Sequence, residues 1–439
     1  MQILIYLLLV LIFIVVSTAK FKLHPFFSLI VSAIILGFAA SLDGVQIISK
    51  ITEGFGNTLS SIGIIIAFGT IIGVFLEKSG ATRVLADAIL SLVGLKRSPL
   101  AMNLTGFIVS IPVFCDSGFV ILSALNKALS KKTGVSIVVL AISLSAGLYA
   151  THVFIPPTPG PLAAAAALDA DIGLVILLGI LVAIPSSIAG FLWAKFIGGK
   201  IKMETISEST VEEENMNAPG ITKAILPIVI PIVLIAFKSV AQLPAHPFGE
   251  GFIFRFFSFA GHPIVALFIG VLLSFNLVRS KKSIRFDWVT TGLKEAGVII
   301  LITGAGGSLG NIIRAAGIGD IIQTSFSDLQ MGIFLPFIVA AILKSAQGSS
   351  TVAIITTAAI VSPMLEPLGL VSPAGKALGV LAIGAGAMTV SHLNDSYFWV
   401  VSQFSGMNVQ TALKSQTVAT FFQGITGIVA VYILSLFLL

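Results

Sequence analysis

Long apolar runs, broken at a few points by compact polar clusters, organise this chain. Segments apolar over about 17–25 residues, the length that crosses a bilayer as a helix, lie near 1–19, 25–41, 59–76, 134–151 and 172–197. A second set lies near 221–242, 261–278, 296–313, 377–392 and 416–438. Two further stretches, 100–125 and 332–361, are apolar but interrupted at their middles by polar residues and glycine. None alternates apolar and polar positions as barrel strands do over about ten residues. The pattern predicts an all-α polytopic membrane protein. Met1 to Ala19 has neither a basic leader nor a small-residue cleavage site, so it reads as a retained first span and not a signal peptide.

Basic residues gather at Lys20 and Lys22, at Lys78, Arg83, Lys96 and Arg97, at Lys127, Lys131 and Lys132, at Lys195, Lys200 and Lys202, and at Arg279, Lys281, Lys282 and Arg285. The positive-inside rule puts all of them in the cytoplasm. The stretch 100–125 then begins and ends on one side, which makes it a re-entrant hairpin. About ten transmembrane helices plus two such hairpins follow, with both termini outside. Residues 203–219 are acidic and low in hydrophobicity, and read as a cytoplasmic linker between a first transmembrane repeat, 1–202, and a second, 220–439.

Three correspondences support that division. Gly69, Gly73 and Gly80 recur at the same spacing as Gly306, Gly310 and Gly317. Phe107 with Gly118 recurs as Phe337 with Gly348, and Ser145 to His152 as Ala385 to His392, setting His152 opposite His392. The order is kept at offsets of about 230–240 residues, and an odd number of crossings separates the counterparts, so the repeat is inverted. Inverted repeats whose broken helices meet at the midplane are the architecture of secondary transporters.

Composition narrows the picture further. Of 439 residues, 56% are hydrophobic and 10% charged, against about 25% charged in soluble domains. Mean hydropathy is +1.07. Gly 42 and Pro 18 fit close helix packing and interrupted helices. The single Cys115 excludes an intramolecular disulfide framework or a multi-cysteine metal site. The net charge of +6 comes from loop Lys and Arg and implies no nucleic-acid partner.

The polar breaks are where chemistry belongs. They are Cys115-Asp116-Ser117-Gly118, Thr151-His152 followed by Pro156 to Pro161, Lys344 to Thr351, and Ser391 to Ser396. Hydroxyls, amides and freed N–H groups at half-helix N-termini suit a carboxylate with hydroxyls beside it. An Asp or His there can take up a proton and couple it to a substrate. Asp116 and Asp395 are the residues hardest to explain structurally, each deep in apolar sequence. Lys344 would pair with one of these carboxylates or answer the charge of a substrate. Glu77, at a span end, reads as a cap or interface residue. Gly304 to Gly307 reads as helix packing; it lacks the lysine and hydroxyl of a phosphate loop.

The segments FCDSGFVIL (114–122), HVFIPPTPGP (152–161), LKSAQGSSTVA (343–353) and SHLNDSYFWV (391–400) resemble the gluconate:proton symporter (gluconate permease) family of the ion-transporter superfamily. The likeness spans both halves. It implies a multi-pass transporter of the bacterial inner membrane, importing gluconate or a related hydroxy acid with protons. It also implies a homodimer whose scaffold domains hold elevator-type transport domains, with helices 80–94 and 318–329 as interfacial arms. Carried residue by residue, Asp116, Ser117 and Gly118 form one hairpin tip and Gln347, Gly348, Ser349, Ser350 and Thr351 the other. His152 with Thr158, and His392 with Asn394 and Asp395, are the unwound partners. Asp116, His152, His392 and Asp395 are the proton candidates, unranked. No cofactor or metal is implied. Proton- or sodium-coupled carriage of another small carboxylate, such as glycerate or D-serine, remains open, as does a channel. An enzyme is disfavoured, since neither an H-E-x-x-H nor a G-x-S-x-G motif is present.

Overall fold

The structure is a computed structural model, and it describes residues 2–196, 218–241, 248–278, 282–317, 331–393 and 395–439. The linker 203–219 lies outside these except for its last two residues, and the arm 318–329 lies outside them altogether. All regular structure among the described residues is helical.

The first half runs α1 (Gln2–Ala19), α2 (Pro25–Ala39), α3 (Gly44–Lys78), the short amphipathic α4 (Ala81–Val93), α5 (Ser98–Val109), α6 (Cys115–Thr133), α7 (Ile137–Phe154), α8 (Pro159–Ala167) and α9 (Ile172–Phe196). The second half runs α10 (Ile221–Ala241), α11 (Phe252–Ala260), α12 (Pro263–Ser274), α13 (Lys282–Ala315), α14 (Phe334–Gln347), α15 (Ser350–Val361), α16 (Pro373–Met388), α17 (Ser396–Phe404), α18 (Val409–Ala412) and α19 (Val418–Leu438). Among the described residues, five helices are long and apolar enough to cross a membrane, or seven with two bent pairs. The helices α1, α2 and α16 are apolar but shorter. The chain is a multi-pass integral membrane protein. Leu8, Leu9 and Ile12 on α1, and Ile433, Leu436 and Phe437 on α19, are exposed as only a lipid-facing surface would tolerate. By contrast α7 is buried from Val138 to Phe154.

Both expected hairpins form. The helices α5 and α6 fold back at residues 110–114, and α14 and α15 at Gly348-Ser349. Gly348 has φ +87°, a left-handed turn that a Cβ would strain, and the Ser349 hydroxyl accepts the Val352 N–H at 3.3 Å to cap α15. The chain breaks between α7 and α8 and between α16 and α17 mirror each other.

Two expectations change. The spans at 59–76 and 296–313 are parts of much longer helices, α3 with 35 residues and α13 with 34. At about 1.5 Å per residue, such a helix exceeds a hydrocarbon core of about 30 Å, and α3 bends by 48°. Polar residues such as Lys50, Glu53 and Asn57 hid its first half from an apolar-run reading. Glycine lets α3 and α13 pack backbone to backbone: a Cβ on Gly54 would stand 2.4 Å from the Gly307 carbonyl oxygen.

The residue register of the repeat also differs from the sequence match, although the order of elements repeats. His152 lies inside the last turn of α7, whereas His392 lies beyond the end of α16. Gly118 is within the first turn of α6, but Gly348 stands at the tip between two helices. Thr158 and Asp395 hold like positions, each the N-cap residue of the second half-helix, although only Asp395 caps with its side chain.

Candidate functional site

A buried ion pair occupies the place where the second hairpin meets the α16–α17 break. Lys344, in the last turn of α14, is wholly buried, and its Nζ lies 2.5 Å from Asp395 Oδ2. Lys344 also donates to the Gly348 carbonyl. The Asp395 carboxylate has partners on both oxygens: Ser391 Oγ donates to Oδ2 at 2.5 Å and the Tyr397 N–H to Oδ1 at 3.1 Å. Asp395 therefore caps α17 and neutralises Lys344 at once. An ion in hydrocarbon without a partner costs several kcal/mol, so each of these charges depends on the other.

The surrounding shell fixes the pair. Tyr149 and Tyr397 pack with tilted rings, their centroids 5.1 Å apart, and Lys344 Nζ sits 5.9 Å from the Tyr149 centroid. The Tyr397 hydroxyl donates to the Ser145 carbonyl at 3.2 Å, and Ser145 Oγ donates to Gln416 Oε1 at 2.9 Å. The broken backbone is held by α19 and the turn before it. Ser391 N–H donates to Thr420 Oγ1 at 3.0 Å, and Thr417 Oγ1 donates to the Ser391 carbonyl at 2.6 Å. His392 Nε2 lies 3.0 Å from the Ser345 carbonyl oxygen, tying the break to α14.

From the first half, Asp116 stands in the opening turn of α6 and His152 in the closing turn of α7. Lys344 and Asp395 are close enough to act electrostatically on both. Asp116 Oδ1 and His152 Nδ1 are buried and have no hydrogen-bond partner among the described residues, an arrangement that buried polar atoms rarely keep without a ligand or water. Three of the four proton candidates thus share one site, while His392 acts at its edge.

The remaining candidates divide. Ser350 is buried near Tyr149, whose hydroxyl donates to the Ala387 carbonyl at 3.4 Å. Ser349 is spent on its helix cap. Thr351 meets the start of α8, its Cα 3.7 Å from where a Cβ on Gly160 would stand. Thr158 Oγ1 donates locally to the Ile155 carbonyl at 2.7 Å. Ser117 lies beside Glu77 of α3, so Glu77 reaches the hairpin tip instead of only ending a helix. Gly118 gives packing room, since a Cβ there would stand 2.8 Å from Leu148 Cδ2. Of Gln347 only the backbone is described, and Asn394 lies outside the described residues. Tyr149, Tyr397, Ser391 and Gln416 are not among the expected site residues; Tyr149 in its apolar run reads as ordinary core, whereas Ser391 and Tyr397 stand within the quoted motif at 391–400.

The comparisons with known proteins bear directly on this architecture. The family model described as GntP family permease matches residues 1–437. The chain belongs to the GntP permease family. This GntP permease is 34% identical over 437 residues to a gluconate permease of Pseudomonas aeruginosa, covering 97% of this chain and 95% of that relative. It is 32% identical to the D-serine transporter DsdX of Escherichia coli K12, covering 98% and 97%. Among solved structures it is similar in fold to Neisseria gonorrhoeae MtrF, described as illuminating a class of antimetabolite efflux pumps, with TM-score 0.72 at 15% identity and 95% and 96% coverage. The permease is a transporter and not an enzyme.

Proposed function

We propose that this permease imports gluconate or a closely related sugar or hydroxy acid by proton symport across the bacterial inner membrane. The observation that carries the reading is the sealed Lys344–Asp395 pair. When the site is empty, the two charges cancel and the carrier can cross without a net buried charge. A substrate carboxylate can take Lys344 only if Asp395 gives it up, and a proton on Asp395 makes that possible. The loaded site is then again neutral: lysine with substrate carboxylate, beside a protonated Asp395. Either partner alone leaves a net charge in the membrane at a cost of several kcal/mol, so half-loaded forms do not cross. Coupling is therefore one proton per monoanion.

Asp116 and His152 offer their free polar atoms to the substrate hydroxyls, joined by Ser350, Thr351, Gln347 and Asn394 and by N–H groups at the start of α15. His392 and Ser349 position the hairpin and the break. Thr158, Ser117, Gly118 and Gly348 shape the tips. Relatives named as gluconate permeases support the acid, and the D-serine relative favours a second reading in which another small carboxylate is carried with protons or sodium.

The movement is of elevator type, within a homodimer, each subunit built from the repeats 1–202 and 220–439. Two glycine faces support it. Gly69 and Gly73 of α3 face Pro157 and Pro112, and Gly306 and Gly310 of α13 face Ile355 and Ala359. Smooth faces at both seams let the hairpins and broken helices slide along a scaffold of α3 and α13. Uptake of labelled gluconate into proteoliposomes under an inward proton gradient, with glycerate and D-serine as competitors, tests the reading. Accumulation blocked mainly by gluconate supports it; gradient-independent equilibration of every acid contradicts it.

A further inference from the structure

A polar cavity of about 150 Å³ lies between α3 and α13 on one side and α8 and α15 on the other. Roughly 10–15 Å³ suffices for one water, so it can hold several waters or one small acid. Its polar wall is formed by Asn57 and Ser61 of α3, Thr303, Asn311 and Arg314 of α13, and Ser362 just past α15. Arg314 Nη2 donates to Ser362 Oγ at 3.1 Å, which leaves most of its guanidinium donors for a ligand. Charge at the rim is net positive. Glu53 is bound by Lys50 at 2.9 Å and feels Arg314, while Asn311 Nδ2 donates to the Lys50 carbonyl at 2.9 Å, so two cations face one anion. The opposite ends of α3 and α13 carry the basic residues Lys78 and Arg285, which the positive-inside rule puts in the cytoplasm; this cavity therefore opens outward.

We infer that the cavity is an outer antechamber that binds the carboxylate of a small hydroxy acid at Arg314, with Asn57 and Ser61 taking its hydroxyls. The acid dwells here before it reaches the Lys344–Asp395 centre. Because its walls come from both the proposed scaffold and the proposed moving hairpin, occupancy senses their relative position. The ligand class rests on the transport reading above, while the cavity itself does not.

Labelling of an Asn57→Cys variant by a membrane-impermeant methanethiosulfonate tests the site in intact cells. The wild type, whose lone Cys115 is buried, is the background control. The reagent is expected to reach position 57 from outside, and gluconate, glycerate or another 2-hydroxy acid to protect it, whereas sorbitol does not. Adding Arg314→Gln should raise the acid concentration for half-protection about tenfold or more, since a charge-assisted contact is lost. In proteoliposomes, Arg314→Gln alone should raise KM for uptake from the outer face and leave KM for efflux unchanged. If the wild type accumulates none of these acids while protection persists, the transport reading falls and the antechamber stands. If uptake is intact but no acid protects, or protection is equal without Arg314, the antechamber is overturned.

Discussion

Replacing Lys344 by Gln removes one half of a buried ion pair and leaves the other. Asp395 would keep its bonds from Ser391 and the Tyr397 N–H, but its charge would face the paired tyrosines without a cation. Breaking a buried pair in this way costs about 3–5 kcal/mol. Retained hydrogen bonds and any proton taken up by Asp395 lower that figure, so about 3 kcal/mol is expected near neutral pH. Adding Asp395→Asn removes the stranded charge, and the amide oxygen can still cap α17. The double variant should therefore be more stable than Lys344→Gln alone, a non-additive result with a coupling of about 1–3 kcal/mol. Thermal unfolding of wild type, both single variants and the double variant in detergent measures this. Additive losses, or a double variant worse than either single one, would refute the pairing argument.

The remaining predictions concern transport. Asp395→Asn should abolish uphill accumulation yet still exchange gluconate, because the substrate no longer competes for Lys344; normal uphill uptake by that variant removes Asp395 from coupling. Gly73→Val should slow turnover with little change in substrate affinity, since even a Cβ would stand 2.6 Å from the Pro112 carbonyl oxygen; unchanged turnover would count against a sliding seam there. A disulfide between Gly306→Cys and Ala359→Cys is geometrically apt, because a Cβ on Gly306 would lie 3.9 Å from that of Ala359. Oxidation should stop uptake and reduction restore it; transport through the oxidised protein would defeat the elevator reading. Asp116→Asn should weaken substrate binding and keep proton-driven accumulation, which a KM measurement separates from a loss of coupling.

Much of this was legible in the sequence because hydrocarbon punishes polar groups so heavily. Asp116, Lys344 and Asp395 stood out as charges inside apolar runs, and Gly348-Ser349 and the Pro156 to Pro161 stretch as places where helices must break. The first hairpin followed from which side each basic cluster occupies, and the second from its broken middle and its place in the repeat. What stayed hidden depends on three-dimensional neighbours. Nothing local tells that Lys344 chooses Asp395 over Asp116, or that Tyr149 and Tyr397 pack together beside it. The symmetry of His152 and His392 was misleading at residue level, because similar letters fell at different depths relative to the helix ends. The first half of α3 escaped because its polar face, with Asn57 and Ser61, lines a cavity and so breaks the apolar run.

The central claim is that Lys344 and Asp395 make transport electroneutral for a monoanion. Proton and gluconate fluxes measured together in proteoliposomes test it, under a pH gradient alone and under a potassium-diffusion potential alone. A 1:1 flux ratio is expected, with uptake driven by the pH gradient and no response to the potential. Gluconate accumulation driven by potential without a pH gradient would contradict it.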